Sequence, residues 1–218
     1  MQIKVDLKIF FVLFIFFLTN QINTYLVFML FAIIHELAHL LIGIMLEFKP
    51  KKINIISMGL SVSFYIEEEN YIKNIKMAKI ITLKKLIVSL AGPISNFAIA
   101  ILFIIFKFDL VEETRRIIIY SNLVIGFFNL LPIYPLDGGR IIKCIIHICK
   151  GLKKSYKYTN LISNINLIII TAISSLAILY FKNIAIFFIV IYLWVLVMKE
   201  NIVYNRKMKL YKALDRIA

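Results

Sequence analysis

Cysteine is nearly missing from this sequence. Only Cys144 and Cys149 occur among 218 residues, in neither a CxxC pair nor a repeat, which leaves no disulfide framework to build on. Both read as ordinary helix residues. Acidic side chains are also scarce, with 12 Asp and Glu against 26 Lys and Arg and a formal net charge of +14. Glycine and proline number only seven and four, so each position carries information. What the chain has in excess is apolar surface: 61% of its residues are hydrophobic, against roughly 45–50% in a soluble globular domain. A core of this chain length has too little volume to hide that surface from water, and a bilayer must supply the rest. The basic residues sit between long apolar runs, where they set topology and meet anionic lipid. That placement argues against nucleic acid as a partner.

A hydrocarbon core about 30 Å thick takes about 20 apolar residues as helix. Six segments are expected to span it, at about 5–20, 24–46, 86–106, 117–134, 160–181 and 184–198. The first follows Lys4 and Lys8 but precedes no small-x-small cleavage site, so it reads as a retained membrane segment. Lysines crowd the stretches 49–85 and 150–157 and the tail from Lys199, whereas the opposite loops hold Lys107, Arg115, Arg116 and Lys182. The positive-inside rule therefore places both termini in the cytoplasm. Between Lys52 and Tyr65 apolar residues alternate about Ser57-Met58-Gly59, which predicts a small cytoplasmic-side β-hairpin whose edge offers itself to an extended peptide. The expected fold is an all-α membrane protein, a polytopic bundle of six transmembrane helices with that hairpin. Residues 1–199 form the membrane domain and 200–218 a basic cytoplasmic tail.

Chemistry concentrates in the second segment, which carries His35-Glu36-Leu37-Ala38-His39. The i, i+4 spacing puts both imidazoles on one helix face, where they can grip a single metal ion. Glu36 lies beside them, placed to take a proton from a water on that ion without being a ligand. Three ionisable groups amid apolar residues are costly in lipid unless coordinated or paired. The bland alternative is a polar packing site between helices. Two histidines and a water leave tetrahedral zinc one protein ligand short. Asp137, in Asn129-Leu130-Leu131-Pro132-Ile133-Tyr134-Pro135-Leu136-Asp137-Gly138-Gly139, is the candidate. Pro132 and Pro135 should interrupt the helix there, so that Asp137 projects from irregular backbone. Asn129 is a candidate to bond a ligand, the substrate backbone or a developing oxyanion. His147 is a rival third ligand, read here as an interfacial residue or a support to a ligand because its helix has neared water.

These residues resemble the site-2 protease family of intramembrane metalloproteases. HELAH at 35–39 matches its HExxH motif, NLLPIYPLDGG at 129–139 its NxxPxxPLDGG signature, and Ala91-Gly92-Pro93-Ile94-Ser95-Asn96 its AGPxxN element. The three occur in family order, and the similarity spans about residues 25–145. The resemblance implies one zinc ion per chain held by His35, His39 and Asp137, with Glu36 activating water. It implies that Asn129 holds substrate or stabilises the transition state, and that Gly92, Pro93 and Asn96 shape helix packing near the site. The expected substrate is a membrane-associated regulatory protein cut near the cytoplasmic face. Six spans and no PDZ insertion look most like the stage IV sporulation FB subgroup, which processes a sporulation pro-sigma factor under small inhibitory membrane partners. A bacterial inner or forespore-surrounding membrane would then be the location. Members of that subgroup commonly carry a C-terminal CBS domain, and none is expected here. The alternative class is a non-catalytic metal-binding membrane scaffold or a metal transporter. The oligomeric state is not legible in the sequence.

Overall fold

In lipid a backbone must satisfy its own hydrogen bonds, so long apolar runs emerge as helices. The computed structural model describes residues 2–5, 22–56, 59–65, 75–106, 111–181 and 185–214. Strand β1 (Gln2–Val5) comes first, then α1 (Ile22–Met45), β2 (Lys49–Ile56) and β3 (Gly59–Tyr65). Helices α2 (Ile75–Ile105), α3 (Glu112–Asn129), α4 (Asp137–Lys150), α5 (Leu152–Phe181) and α6 (Ala185–Leu214) follow. Four helical stretches among the described residues, Ile22–Met45, Met77–Ile105, Leu152–Tyr180 and Ile186–Ala213, are long and apolar enough to cross a membrane. This is a multi-pass membrane protein. Helix α3 is not among the four, because its 18 residues open with Glu112-Glu113-Thr114-Arg115-Arg116. The segment expected at 5–20 lies outside the described residues except for Val5, which ends β1.

The chain divides into two compact units, Met1–Asn129 and Leu130–Ala218. In the first, α1 shows how the bilayer inverts the usual pattern of burial. Phe31, His35, His39 and Gly43 lie four residues apart and form its buried stripe. Leu26, Leu30, Leu37 and Leu41 face outward, as a helix does when its surroundings are apolar. Helices α2 and α3 pack against that stripe. Helix α1 ends in a Schellman motif: Phe48 N–H bonds to the Gly43 carbonyl at 2.9 Å and Glu47 N–H to Ile44 at 2.9 Å. Glu47 takes the left-handed conformation (φ 66°) that glycine usually supplies there. Lys84 secures the turn, reaching the Leu46 carbonyl and the Glu47 carboxylate at 3.1 Å each. The chain thus leaves the helix directly into β2.

Strands β2 and β3 pair antiparallel, from Lys49 opposite Tyr65 to Ile56 opposite Gly59, with an irregularity between Pro50 and Lys52. Residues 57–58 between them lie outside the described residues. Strand β1 pairs parallel with β2, making a three-stranded sheet in the order β1-β2-β3. That third strand has no counterpart in the sequence reading, because four residues are too few to show a period. The sheet lies against α1 through β2 and β3. At Gly43, an added Cβ would sit 2.2 Å from the Phe64 ring, so glycine is what lets β3 approach this closely.

Several expected boundaries move. Helix α2 begins at Ile75, eleven residues before the expected span, and takes in Lys76, Lys79, Lys84 and Lys85, which the positive-inside reading places in a loop. Likewise α5 starts at Leu152, and α6 continues through the basic stretch expected as a tail as far as Leu214. Long lysine stems lie along a helix while their heads reach water, so charge marks where lipid ends and not where helix ends. Within the expected span 117–134 the helix, α3, ends at Asn129, and a separate α4 opens beyond it at Asp137. Pro132 and Pro135 exclude helical continuation, and the chain stops short of them.

In the second unit α5 packs on both α4 and α6. An asparagine cluster joins α5 to α6: Asn160 Nδ2 and Asn164 Nδ2 donate to Asn201 Oδ1 at 2.5 and 3.2 Å, and Asn201 Nδ2 returns a bond to Asn164 at 3.1 Å. Such bonds between spans each contribute about 0.6 kcal/mol and at most about 1.7. We expect Asn201→Leu to lower the unfolding free energy in detergent by about 1–2 kcal/mol, since it removes three of them. Unchanged stability would show that the asparagine cluster contributes nothing to holding α5 against α6.

Candidate metal centre

The i, i+4 spacing on α1 brings the two imidazoles together as expected, and the structure shows how each ring is held. His35 and His39 are 2% and 3% exposed. Their rings meet edge-to-face, with centroids 4.8 Å apart. His39 Nδ1 lies 2.6 Å from the carbonyl oxygen of Val88 on α2. A carbonyl only accepts, so His39 carries its proton on Nδ1 and a lone pair on Nε2. His35 Nδ1 lies 2.5 Å from Asn96 Oδ1, which makes the same demand. The two Nε2 atoms are then 3.2 Å apart, lone pair towards lone pair. Without a cation that arrangement is repulsive. Two nitrogens on one tetrahedral zinc would sit about 3.3 Å apart, given Zn–N distances near 2.0–2.1 Å.

Gly92 of α2 closes one side of the pair. A Cβ there would lie 2.4 Å from His39 Nε2 and 2.6 Å from His35 Nε2, so the helix backbone itself forms the wall against the rings. Pro93 is buried next to it inside α2. Asn96 was expected only to shape packing, and the structure adds a direct bond to an imidazole. The residue that sequence reasoning missed is Asn122 on α3, which accepts from Asn96 Nδ2 at 2.9 Å. The signal was present, a lone amide in the apolar run Ile117–Phe128, but nothing in one sequence ties it to a histidine 87 positions earlier.

Asp137 does not project from irregular backbone. It is the first residue of α4, following Leu136 at φ −60°, ψ 162°, where a carboxylate favours the positive end of the helix dipole. It is 4% exposed, and Arg140 one turn on approaches its Oδ1 at 3.4 Å. The glycines after it are required by close approach. A Cβ on Gly138 would lie 2.1 Å from the Leu130 carbonyl oxygen, and one on Gly139 2.3 Å from the Tyr134 nitrogen. The loop 130–136 therefore folds back over the first turn of α4. It is fastened by Tyr134 N–H to Ser163 Oγ at 2.9 Å and by Leu136 N–H to the Ile133 carbonyl at 2.9 Å.

His35 and His39 on α1 and Asp137 at the start of α4 are each buried. Two neutral imidazole nitrogens and a carboxylate oxygen form a donor set suited to catalytic zinc, which keeps a fourth position for water. Glu36 is half-buried beside them on α1. Asn129 ends α3 with its Nδ2 donating to the Ile125 carbonyl at 3.1 Å. His147 lies in the last turn of α4, half-buried and outside the metal-capable group.

A solved site-2 protease from Methanocaldococcus jannaschii superposes with a TM-score of 0.65 over 91% of this chain and 89% of its own, at 22% identity. The chain has the site-2 protease fold. Residues 108–173 match the model for peptidase family M50. A zinc metalloprotease of Methanocaldococcus jannaschii is 30% identical over 171 residues, 72% of this chain and 47% of the relative. Stage IV sporulation protein FB of Bacillus subtilis is 27% identical over 127 residues, 57% of this chain and 41% of the relative. The chain thus matches less than half the length of either curated relative. Buried His35, His39 and Asp137 are side chains consistent with the zinc site of an M50 peptidase.

Proposed function

We propose that this protein is an intramembrane zinc metalloendopeptidase that cuts a membrane-associated regulatory protein near the cytoplasmic face. One observation carries the reading: two buried imidazoles on α1 whose Nε2 atoms face each other 3.2 Å apart. His35, His39 and Asp137 would hold one zinc ion per chain. Zinc, when bound, supplies Lewis acidity and brings the pKa of a coordinated water down to about 7. Glu36 takes the water proton on its carboxylate and delivers it to the departing amide nitrogen. Asn129 orients the substrate backbone or the developing oxyanion with the amide hydrogen not committed to Ile125. Among the described residues β2 is central and β1 and β3 are the outer strands, and the proposed extended guest segment pairs along one of them. A helical guest must unwind before its amides can be reached.

The proposal extends to six spans with both termini in the cytoplasm of a bacterium, α3 and the segment at 5–20 adding to the four long apolar helices. Membrane-tethered pro-sigma factors are the first substrates to try, given the similarity to a sporulation protein. Small membrane proteins that block the site are the corresponding partners. The test is metal content and cleavage together. Purified chain should hold one zinc, and Asp137→Ala should lose it. Co-expression with tethered pro-sigma factors should give shortened fragments that depend on Asp137. A chain that folds yet never takes up zinc would end this reading. Uptake of zinc into liposomes without any cleavage would replace it with transport.

A further inference from the structure

Both histidines need a hydrogen on Nδ1 to present a lone pair from Nε2, and they obtain it differently. For His39 the partner is the Val88 carbonyl, which cannot act as a donor. For His35 the partner is the Asn96 amide, whose two ends have nearly the same shape. Turned over, Asn96 would offer N–H to Nδ1, the ring proton would move to Nε2, and the ligand atom would be lost. Something must fix the direction of that amide.

The geometry points to Asn122 as a positioning residue that sets the tautomer of His35 through Asn96, an inference that rests on the zinc reading above. The chain of bonds has one possible polarity. The Ile118 carbonyl only accepts, and it takes Asn122 Nδ2 at 2.8 Å together with Ser121 Oγ at 3.0 Å. Asn122 must then turn Oδ1 towards Asn96, accepting Asn96 Nδ2 at 2.9 Å. Asn96 is left with Oδ1 facing His35 Nδ1, which must donate. Asn96 and Asn122 are both 0% exposed, so water does not substitute for either. A backbone carbonyl on α3 thereby determines, across α2, which nitrogen on α1 is the ligand. Supporting bonds to metal-binding histidines typically affect affinity about 10–100-fold when removed.

The experiment uses the full chain in detergent micelles and zinc competition with a chelator of known affinity. Asn122→Leu releases the direction of Asn96 and should weaken zinc binding about 10–100-fold. In Asn96→Asp/Asn122→Leu, a carboxylate at position 96 can only accept and needs no partner at position 122. Zinc affinity should recover most of the loss. A residue that merely bolted α2 to α3 would not be rescued, because the double variant leaves no hydrogen bond between positions 96 and 122. Wild-type affinity in Asn122→Leu overturns the inference, as does a folded double variant no tighter than the single one. If Asn122→Leu does not fold, the ¹⁵N histidine spectrum of chelated wild-type protein decides. The Nδ1–H tautomer at His35 is expected, and Nε2–H overturns it. A wild-type chain that takes no zinc would instead sink the protease reading, while the tautomer spectrum still judges Asn122.

Discussion

Replacing Glu36 with Gln should slow peptide cleavage by roughly 10²–10⁴-fold, the range for loss of a general base, while zinc content stays at the wild-type level. Glutamine keeps the shape of the side chain and the packing of α1 but cannot take up a proton at neutral pH. The two imidazoles are held from outside α1, by Asn96 and by the Val88 carbonyl, so their positions do not depend on Glu36. Metal binding and proton transfer therefore separate at this residue. The measurement pairs initial cleavage rates in proteoliposomes with metal analysis of the same preparation. Cleavage within tenfold of wild type would remove Glu36 from the mechanism. Lost zinc would make it part of the binding site instead.

Gly92→Ala should disrupt zinc binding by at least about tenfold and lower stability by about 1–3 kcal/mol, the usual cost of forcing volume into a packed interior. The sign is contrary to ordinary helix chemistry, where Gly→Ala within a helix gains about 0.5–1 kcal/mol. Position decides between the two effects. The new methyl group would lie 2.4 Å from His39 Nε2 and 2.6 Å from His35 Nε2, well inside contact distance. Neither ring can swing aside without breaking its Nδ1 bond, and the displaced atoms are the ones that bind the ion. Chelator competition gives the affinity, and denaturation of the zinc-free protein gives the stability. A variant that binds zinc as the wild type does, with raised stability, would mean that α2 stands farther from the rings than it does here.

The parts of this site that were legible in the sequence are those fixed by local geometry. An HExxH on a helix has its two imidazoles on one face whatever surrounds it, and α1 forms because 24 mostly apolar residues in lipid have no better way to satisfy their backbone. The Asp-Gly-Gly after two prolines marked a break in the fourth segment. It did not show that the break ends at Asp137, which opens a new helix, nor that its glycines are needed because a loop folds back over them. Lysine runs do not mark the helix ends, because a helix continues past the membrane surface without any change in its backbone bonding.

The sequence by itself determined the solvent of this protein, the helical pairing of His35 with His39, and the presence of a carboxylate in the matching signature. Each follows from composition or from a spacing of a few residues. Only the tertiary structure decided that Gly92 is the wall behind the imidazoles, that Val88 and Asn96 set their protons, and that Asn122 sets Asn96. Those contacts join residues 26 to 61 positions apart on neighbouring helices. A hydrogen bond has a direction only once its partner is in place, and no periodicity along one chain records which partner that is.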